Sequence, residues 1–377
     1  MTHETLVYVF FQWFMSDRIR GKFKMRDQDK RKLERMKVAT IGGFYAVGKT
    51  TIITKMGKKL SENGKRIAVV SNDKGAISVD GEVIKKLGFE TGEIAGGCVC
   101  FYLPLLKHII DTITQKFVPD VLFLEPVAYF LPSKLYSDLR KKFDGVELAP
   151  VIILADASRL LDYKERSEEL SYLESRQVKD AEVLVINKVD LVSESQLSAV
   201  RKMVQRINPK ARLVETSGKM GAGLGELSNI TLQERHEGAP PVSKAVVKDF
   251  AKSVTEMGER GEQYAIGTKK DLSESDVKNF LRDLLRGIAE KVFSAGGEIN
   301  HIKALLGNES FFLKASLVRL DQEVDFVGKI KGLSSGSSGR IAINAFGRGL
   351  PDDFLYNLII TTLQEVAPKY EIKFDEV

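Results

Sequence analysis

Residues 43–50 carry the clearest chemical signal in the chain. Their sequence, GFYAVGKT, matches G-x-x-x-x-G-K-[ST], the pattern of a loop that wraps nucleotide phosphates. Glycines let the backbone curl so that successive N–H groups face phosphate oxygens, and the helix that follows adds its positive N-terminal end. We predict that Lys49 bridges the β- and γ-phosphates and that Thr50 ligates Mg²⁺. The predicted nucleotide-contacting residues are Gly43, Tyr45, Ala46, Val47, Gly48, Lys49, Thr50 and Thr51.

A second motif, Asn187-Lys188-Val189-Asp190, follows an apolar run at 183–186. A carboxylate at Asp190 accepts hydrogen bonds from both N1–H and the 2-amino group of guanine, whereas adenine offers no such pair of donors. The motif therefore predicts GTP rather than ATP, with Asn187, Lys188 and Asp190 as base-binding residues. Ser217 follows the next predicted strand, where guanine-binding proteins place a backbone N–H against O6; a helix-capping turn is the alternative there.

Several aspartates and one glutamate stand at predicted strand ends or just beyond them. Asp73 and Asp80 lie on a Gly-containing loop after the second strand, the position of a switch segment, and Glu125 ends the run 121–124. Open α/β sheets bind ligands at the carboxyl ends of their strands. We therefore expect Asp73 and Glu125 to hold Mg²⁺ or orient the attacking water, with turn-capping aspartates as the alternative. Asp156 is expected to be structural support.

The chain has two cysteines, Cys98 and Cys100, which follow a glycine pair. Alternate residues of an extended segment point to one side, so both thiols can face one ion. Two thiolates suit Zn²⁺, Co²⁺ or Ni²⁺, but a closed site takes four ligands. Asp73, Asp80, Glu125 or a second subunit could complete the set. The alternative is a pair of buried cysteines that act as small hydrophobic residues.

These motifs lie within an alternation of short apolar runs and helical stretches between residues 36 and 235. That order predicts an α/β fold, a doubly wound and mostly parallel sheet of the P-loop NTPase type. Strands are predicted at 38–42, 66–71, 121–124, 151–155, 183–186 and 212–214, and helices at 49–63 and 103–116.

The rest of the chain predicts a linker and a second, smaller domain. Residues 236–262 are polar and contain Pro240-Pro241, which favours a linker with some helix. Residues 263–377 predict an α+β domain, with a helix capped by Ser273 and Asp276. Strands are predicted at 311–320 and 340–346, and a final helix at 351–366. Nothing in this domain names a reaction.

Together these motifs resemble the CobW-type GTPases, which share a nucleotide-binding fold with the hydrogenase and urease nickel-insertion GTPases. The resemblance covers residues 37–230. Phe101 stands where this family usually has a third cysteine, and Asp73 where it usually has glutamate. The segments that carry the resemblance are IGGF before the phosphate loop, Asn72-Asp73-Lys74-Gly75, Gly96-Gly97-Cys98-Val99-Cys100, Glu125, Gln177 with Asp180-Ala181, and Asn187-Lys188-Val189-Asp190.

The resemblance implies a GTPase that delivers a metal or corrinoid cofactor to a client enzyme. It also implies a GTP-stabilised homodimer or client complex. Because no Gln or Arg is assignable as a catalytic finger, intrinsic turnover should be slow. A regulatory GTP-binding switch without metal cargo is the alternative, and a P-loop small-molecule kinase is a further one.

Composition limits the remaining possibilities. Residues 1–35 form a basic extension with an apolar run at 6–15, which is half of the ~20 residues that span a bilayer. This segment could form a helix that binds a membrane surface or a partner protein. The alternative, which we favour, is a poorly packed extension. The net charge is +6, most of it in the extension, so the near-neutral body does not suggest nucleic-acid binding. Two cysteines in so long a chain indicate a reducing, cytoplasmic compartment.

Overall fold

The computed structural model describes residues 36–72, 79–94, 98–100, 102–143, 146–165, 170–238, 242–254, 257–308 and 311–376. The predicted basic extension and Asp73 lie outside these ranges. No helix in the described part of the chain is both long and apolar enough to cross a bilayer.

The first part of the chain folds into an eight-stranded parallel sheet, which confirms the predicted fold class. The strand order is β3-β2-β4-β1-β6-β7-β8, with β5 paired to β1. The strands are β1 Lys37–Gly43, β2 Ile67–Asn72, β3 Glu90–Ile94, β4 Val121–Glu125, β5 Glu147–Leu148, β6 Ile152–Asp156, β7 Val183–Asn187 and β8 Arg212–Glu215.

Nine helices of the described residues accompany this sheet, and they begin and end close to the predicted positions where a prediction was made. They are α1 Lys49–Glu62, α2 Val79–Lys86, α3 Leu103–Lys116, α4 Pro132–Lys142, α5 Ala157–Glu165, α6 Tyr172–Asp180, α7 Glu194–Ile207, α8 Leu224–Gln233 and α9 Lys244–Val254.

Burial explains which strands the sequence reveals. Every residue of β1, β2, β4, β6 and β7 is buried, because helices cover both faces of a parallel sheet. The strand β3 was not predicted. Its sequence, ETGEI, is polar because β3 lies at the edge of the sheet, where most of its residues stay partly exposed.

The C-terminal part contains a six-stranded antiparallel sheet of order β13-β12-β11-β15-β9-β16 and a two-stranded one, β10-β14. Helices α10 and α11 pack on the larger sheet. The elements are β9 Met257–Thr268, β10 Leu272–Ser273, α10 Glu274–Ser294, β11 Glu298–Gly307, β12 Phe312–Leu317, β13 Asp325–Lys329, β14 Gly332–Leu333, β15 Ser338–Arg348, α11 Asp352–Val366 and β16 Ile372–Glu376.

Two elements begin inside the predicted linker 236–262. Helix α9 occupies much of it, and β9 starts six residues before the predicted start of the second domain. Strand β9 is concealed in the sequence because only Tyr264 and Ile266 give it buried apolar side chains, while glycines and charged residues make up most of its first half. The domain boundaries themselves stay a prediction.

One face of the C-terminal sheet lies against the first part of the chain. On β11, Ile302, Ala304 and Leu306 belong to the core under α10, and the alternate residues face the other way. Leu305 on that other face packs with Val83 of α2. This contact brings the second sheet to the carboxyl edge of the first.

Candidate functional site

The phosphate loop joins the end of β1 to the start of α1, as predicted. Its Lys49 ammonium donates to the carbonyls of Gly43 at 2.9 Å and Phe44 at 3.0 Å. Gly48 has a φ of +97°, and a Cβ there would lie 2.6 Å from the side-chain nitrogen of Asn187. Gly48 also caps α1 with no side-chain hydrogen bond and no acidic residue in the first turn, so this helix end suits an anion.

Thr50 and Glu125 meet at the carboxyl edge of the sheet. The Thr50 hydroxyl donates to Oε1 of Glu125 at 2.7 Å. The other oxygen, Oε2, is buried with no hydrogen-bond partner among the described residues. Burial, and then the Asp80 carboxylate, raise the pKa of Glu125 to about 7. An orphaned carboxylate oxygen beside a hydroxyl is a hard oxygen donor set, and it fits Mg²⁺.

Asn187 connects the phosphate loop to the Asn187-Lys188-Val189-Asp190 motif, which we call the guanine motif because the sequence predicts that it binds guanine. Its side-chain nitrogen donates to the Val47 carbonyl at 2.8 Å, and its oxygen accepts from Thr216 Oγ1 and from the Gly218 amide, each at 2.9 Å. Asn187 is buried, so all of these bonds are protected from water. The arrangement fixes the loop after β8 and the phosphate loop in one geometry.

The other residues of the Asn187-Lys188-Val189-Asp190 motif differ in exposure, and Val189 packs against the core. Asp190 is exposed in a single 3₁₀ turn, Val189–Leu191. Lys188 has a φ of +63°, and its ammonium pairs with Asp156 at 2.6 Å. Asp156 also accepts from the Ser158 amide and hydroxyl at the start of α5, which is the structural support that the sequence predicts for it.

Ser217 lies in the loop after β8, and its amide donates to the Ala222 carbonyl at 3.1 Å. Its hydroxyl accepts from the Met220 amide at 3.0 Å. Both hydrogen bonds close a turn at Ser217, which agrees with the helix-capping turn given above as the alternative to a guanine contact. The contact between Ser217 and guanine O6 stays a prediction.

The cysteines lie side by side in the interior. The sulfurs of Cys98 and Cys100 are 2.8 Å apart, both residues are buried, and neither is in a disulfide. Burial raises the pKa of Cys98 well above its usual value, and the hydrogen bond to Cys100 raises it further. Burial also disfavours the Cys100 thiolate, but the hydrogen bond from Cys98, backbone hydrogen bonds and the Lys134 ammonium together outweigh burial and lower the pKa of Cys100. When one thiol of the pair ionises, these shifts therefore place the negative charge on Cys100 rather than on Cys98.

Asn72, at the end of β2, positions the cysteine segment. Its side-chain oxygen accepts from the Val99 amide at 2.8 Å, and its nitrogen donates to the Ile94 carbonyl at 3.0 Å. Sequence reasoning gave Asn72 no role beyond the family resemblance. Its position as a polar residue at the end of an apolar strand was the signal in the sequence that could have identified it.

No third metal donor joins the cysteines in the described part of the chain. Among those residues there is no group of three or more His, Cys, Asp or Glu side chains that could hold a metal. Of the ways in which the ligand set could be completed, the structure does not bring Asp80 or Glu125 to the cysteines. Their carboxylates are engaged elsewhere, by lysine ammonium groups and by Thr50 respectively. Asp73 lies outside the described residues.

Residues 37–215 match the sequence family described as "CobW/HypB/UreG, nucleotide-binding domain". This part of the chain is a CobW/HypB/UreG domain. Its phosphate loop, Glu125 and Asn187 all lie within the matched residues.

Curated relatives carry related names. A "Zinc chaperone CobW" of Sinorhizobium sp is 27% identical over 235 residues, which are 52% of this chain and 65% of the relative. "Zinc chaperone YeiR" of Escherichia coli (strain K12) is 28% identical over 212 residues, 55% of this chain and 63% of the relative. The chain thus covers less than two thirds of the length of each.

A solved structure, the Zn(II)-bound YjiA GTPase from E. coli, aligns over 87% of this chain and 98% of its own. The identity is 17% and the TM-score is 0.38. The fold assignment of the CobW/HypB/UreG domain rests on the strand order described above.

Sequence reasoning also missed an arginine next to the phosphate loop of the CobW/HypB/UreG domain. The Arg159 guanidinium lies 4.8 Å from the centre of the Phe44 ring, and it pairs with Glu174 at 3.3 Å. Arg159 follows Asp156 by one helical turn, and that strand-to-helix turn was the signal available. Its pairing makes it a support for the loop rather than a catalytic finger.

Asp80, which the sequence places on a switch segment, lies in the first turn of α2. Its two carboxylate oxygens pair with Lys303 and Lys314 of the C-terminal sheet, each at 2.5 Å. Asp80 and its two lysine partners therefore connect the two sheets. Sequence spacing gives no sign of them, because Lys303 lies 223 positions from Asp80.

Proposed function

We propose that this protein binds and hydrolyses GTP and couples hydrolysis to the delivery of a metal ion or corrinoid cofactor to a client enzyme. The observation that best supports GTP binding is the hydrogen bond from the Asn187 side chain, in the guanine motif, to the Val47 carbonyl in the phosphate loop. One side chain thus sets the distance between a base-reading segment and a phosphate-binding segment, as a guanine nucleotide requires.

In the reaction, the chain mainly positions and neutralises charge. Lys49 swings from the carbonyls of its own loop to the β- and γ-phosphates, while the amides of the loop and of the α1 N-terminus bind the other oxygens. Thr50 and Glu125 would hold Mg²⁺, with Asp73 as a further candidate, and the ion would supply charge neutralisation at the phosphates. Asp190 accepts from the guanine edge.

Hydrolysis is slow in this account. Arg159, a half-buried arginine next to the phosphate loop, is paired with Glu174 and packs on Phe44. Without a cation aimed at the leaving oxygen, the step depends on Lys49 and Mg²⁺ alone. The cycle then works as a switch, in which the γ-phosphate orders the segment that carries Asp73.

The metal half of the proposal rests on Cys98 and Cys100. Two curated relatives are named zinc chaperones, and two neighbouring thiols suit a soft or borderline cation such as Zn²⁺, Co²⁺ or Ni²⁺. A site with two protein ligands binds weakly, which suits transfer, and a client or a second copy supplies the other ligands. Free thiols also fit a reducing, cytoplasmic compartment.

The test is nucleotide competition and metal analysis on the purified full chain. We expect GTP to displace a labelled guanine nucleotide far better than ATP does, and a divalent metal to copurify or titrate onto the protein. Equal competition by ATP would favour the small-molecule kinase instead. GTP selectivity without any metal binding would favour the regulatory switch without cargo.

A further inference from the structure

One aromatic residue of the C-terminal sheet is buried in the core of the CobW/HypB/UreG domain. On strand β15, Ile343 and Ala345 belong to the core of the C-terminal part. Phe346 instead belongs to the core of the first part of the chain, where it is 3% exposed. Because alternate residues of a strand face opposite sides, Phe346 lies on the sheet face that packs against the first part. Phe346 thus connects the C-terminal sheet to the core of the other part.

The Phe346 ring contacts the phosphate loop. Its centre lies 5.1 Å from that of the Tyr45 ring, which in turn lies 4.9 Å from that of Phe44, edge to face. Both separations are in the range at which aromatic rings attract each other. All three side chains are buried. A continuous row of rings therefore runs from β15 into the loop, and the Arg159 guanidinium packs on its far end, at Phe44.

The backbone beside Tyr45 is in a conformation that needs support. Ala46 has a φ of +57°, in the left-handed region that residues with a Cβ rarely adopt. Gly43 and Gly48 also have positive φ values, +136° and +97°, but glycine adopts them without strain. A strained residue keeps such a conformation only where its surroundings hold it. Tyr45, which precedes Ala46, is held by the ring of Phe346.

The curled form of the loop is also the form that binds phosphate, because the curl points successive amides at the phosphate oxygens. Within the loop, Lys49 supports the curl by donating to the carbonyls of Gly43 and Phe44. In the proposed reaction Lys49 leaves these carbonyls for the phosphates. The contact with Phe346 comes from outside the loop and does not depend on where Lys49 points.

We propose that Phe346 is a positioning residue, through which the C-terminal sheet holds the phosphate loop in its nucleotide-binding conformation. The ring acts through Tyr45 and not through a contact of its own with the nucleotide. The inference rests on the proposed nucleotide binding and adds a part that the C-terminal sheet of the same chain contributes.

The test measures Kd for GDP, and KM and kcat for GTP, in wild type, Phe346→Leu, Tyr45→Leu and the double variant. When the loop is curled in only a fraction of the molecules, the apparent affinity falls by that fraction, and bound phosphates then restore the curl. In Phe346→Leu we therefore expect Kd and KM to rise together, about three- to tenfold for one lost aromatic contact, with kcat within about twofold of wild type. The double variant should lose no more affinity than Tyr45→Leu alone, because both substitutions remove the same contact.

Phe280→Leu is the matched control. Phe280 is a buried phenylalanine of α10 that packs on Tyr370, so its substitution also removes an aromatic contact from the C-terminal part, and it should leave Kd and KM unchanged. Thermal unfolding without nucleotide verifies that each variant is folded. If Phe346→Leu does not fold, Phe346→Met tests the same claim, since the flexible methionine side chain fills irregular gaps.

Unchanged Kd and KM in the folded Phe346 variant would overturn the inference. A lower kcat at unchanged KM would overturn it too, because that result indicates only a loss of folded protein. So would an equal rise of Kd in Phe280→Leu, or additive losses in the double variant, which would show that the ring does not act through Tyr45. A wild type that binds no guanine nucleotide would instead contradict the proposed function, so the two failures are distinguishable.

Discussion

At the scale of single residues, the proposed choice of base depends on Asp190. Its carboxylate is exposed and available to a ligand, while Asn187 next to it is fully engaged in holding loops together. Recognition and positioning are thus divided between two residues of one short motif. This division lets the base-reading group change without loss of the fold.

The first prediction follows from that division. Asp190→Ala should weaken GTP binding by about 1–3 kcal/mol, since a charged acceptor of the base is removed. Asp190→Asn should shift preference towards xanthine nucleotides, which offer the complementary acceptor. Competition binding measures both, with Asp353→Asn, an exposed aspartate of the C-terminal part, as the control. A wild type that does not distinguish GTP from ATP would refute it.

The second prediction concerns Glu125 and pH. Its pKa in the folded protein is about 7, above the ordinary 4.5, so its contribution to stability is fully present below pH 4.5 and is lost as the pH rises through 7. Between pH 6 and 8, the nucleotide-free wild type should lose about 1 kcal/mol more than Glu125→Gln.

Urea unfolding at the two pH values measures this difference. Glu90→Gln, which alters an exposed carboxylate on the edge strand, should behave as wild type. The same pH dependence in wild type and Glu125→Gln would show that Glu125 does not titrate in this range.

At the scale of elements, the phosphate loop and helix α1 together form the proposed phosphate-binding site. The third prediction is that Lys49→Ala abolishes GTP hydrolysis and weakens GTP binding, because the mobile cation at the β- and γ-phosphates is lost. Thr50→Ala should leave a residual activity that depends far less on added Mg²⁺. Lys58→Ala, at an exposed position on the same helix, is the matched control. Wild-type turnover in Lys49→Ala would mean that the active site lies elsewhere.

Elements also differ in how far the sequence reveals them. The buried parallel strands were predictable because each reads as a short apolar run, and two of them end in a polar residue at the proposed site, Glu125 and Asn187. Strands β3 and β9 were not, because an edge or one-sided strand keeps few buried side chains. The pairing of Asp80 with Lys314 was also out of reach, because the packing of the two sheets creates it.

At the scale of the whole molecule, the proposed cysteine site has two protein ligands among the described residues, and the proposal assigns the remaining ligands to a partner. The fourth prediction is that a GTP analogue stabilises a homodimer or client complex, since a partner can supply the missing metal ligands. Sedimentation of the full chain with GDP, with a GTP analogue and without nucleotide measures the homodimer directly. If the protein sediments as the same monomer under all three conditions, the proposed GTP-stabilised homodimer is wrong.

The central claim is that nucleotide state and metal binding are coupled, and titration of Zn²⁺ and Co²⁺ onto the full chain tests it most directly. Wild type and the double variant Cys98→Ser/Cys100→Ser are each titrated with GDP and with a GTP analogue. The account predicts that wild type binds metal, that its affinity differs between the two nucleotides, and that metal shifts the GTP-analogue affinity by the same factor. Identical weak metal binding in all four samples would contradict it.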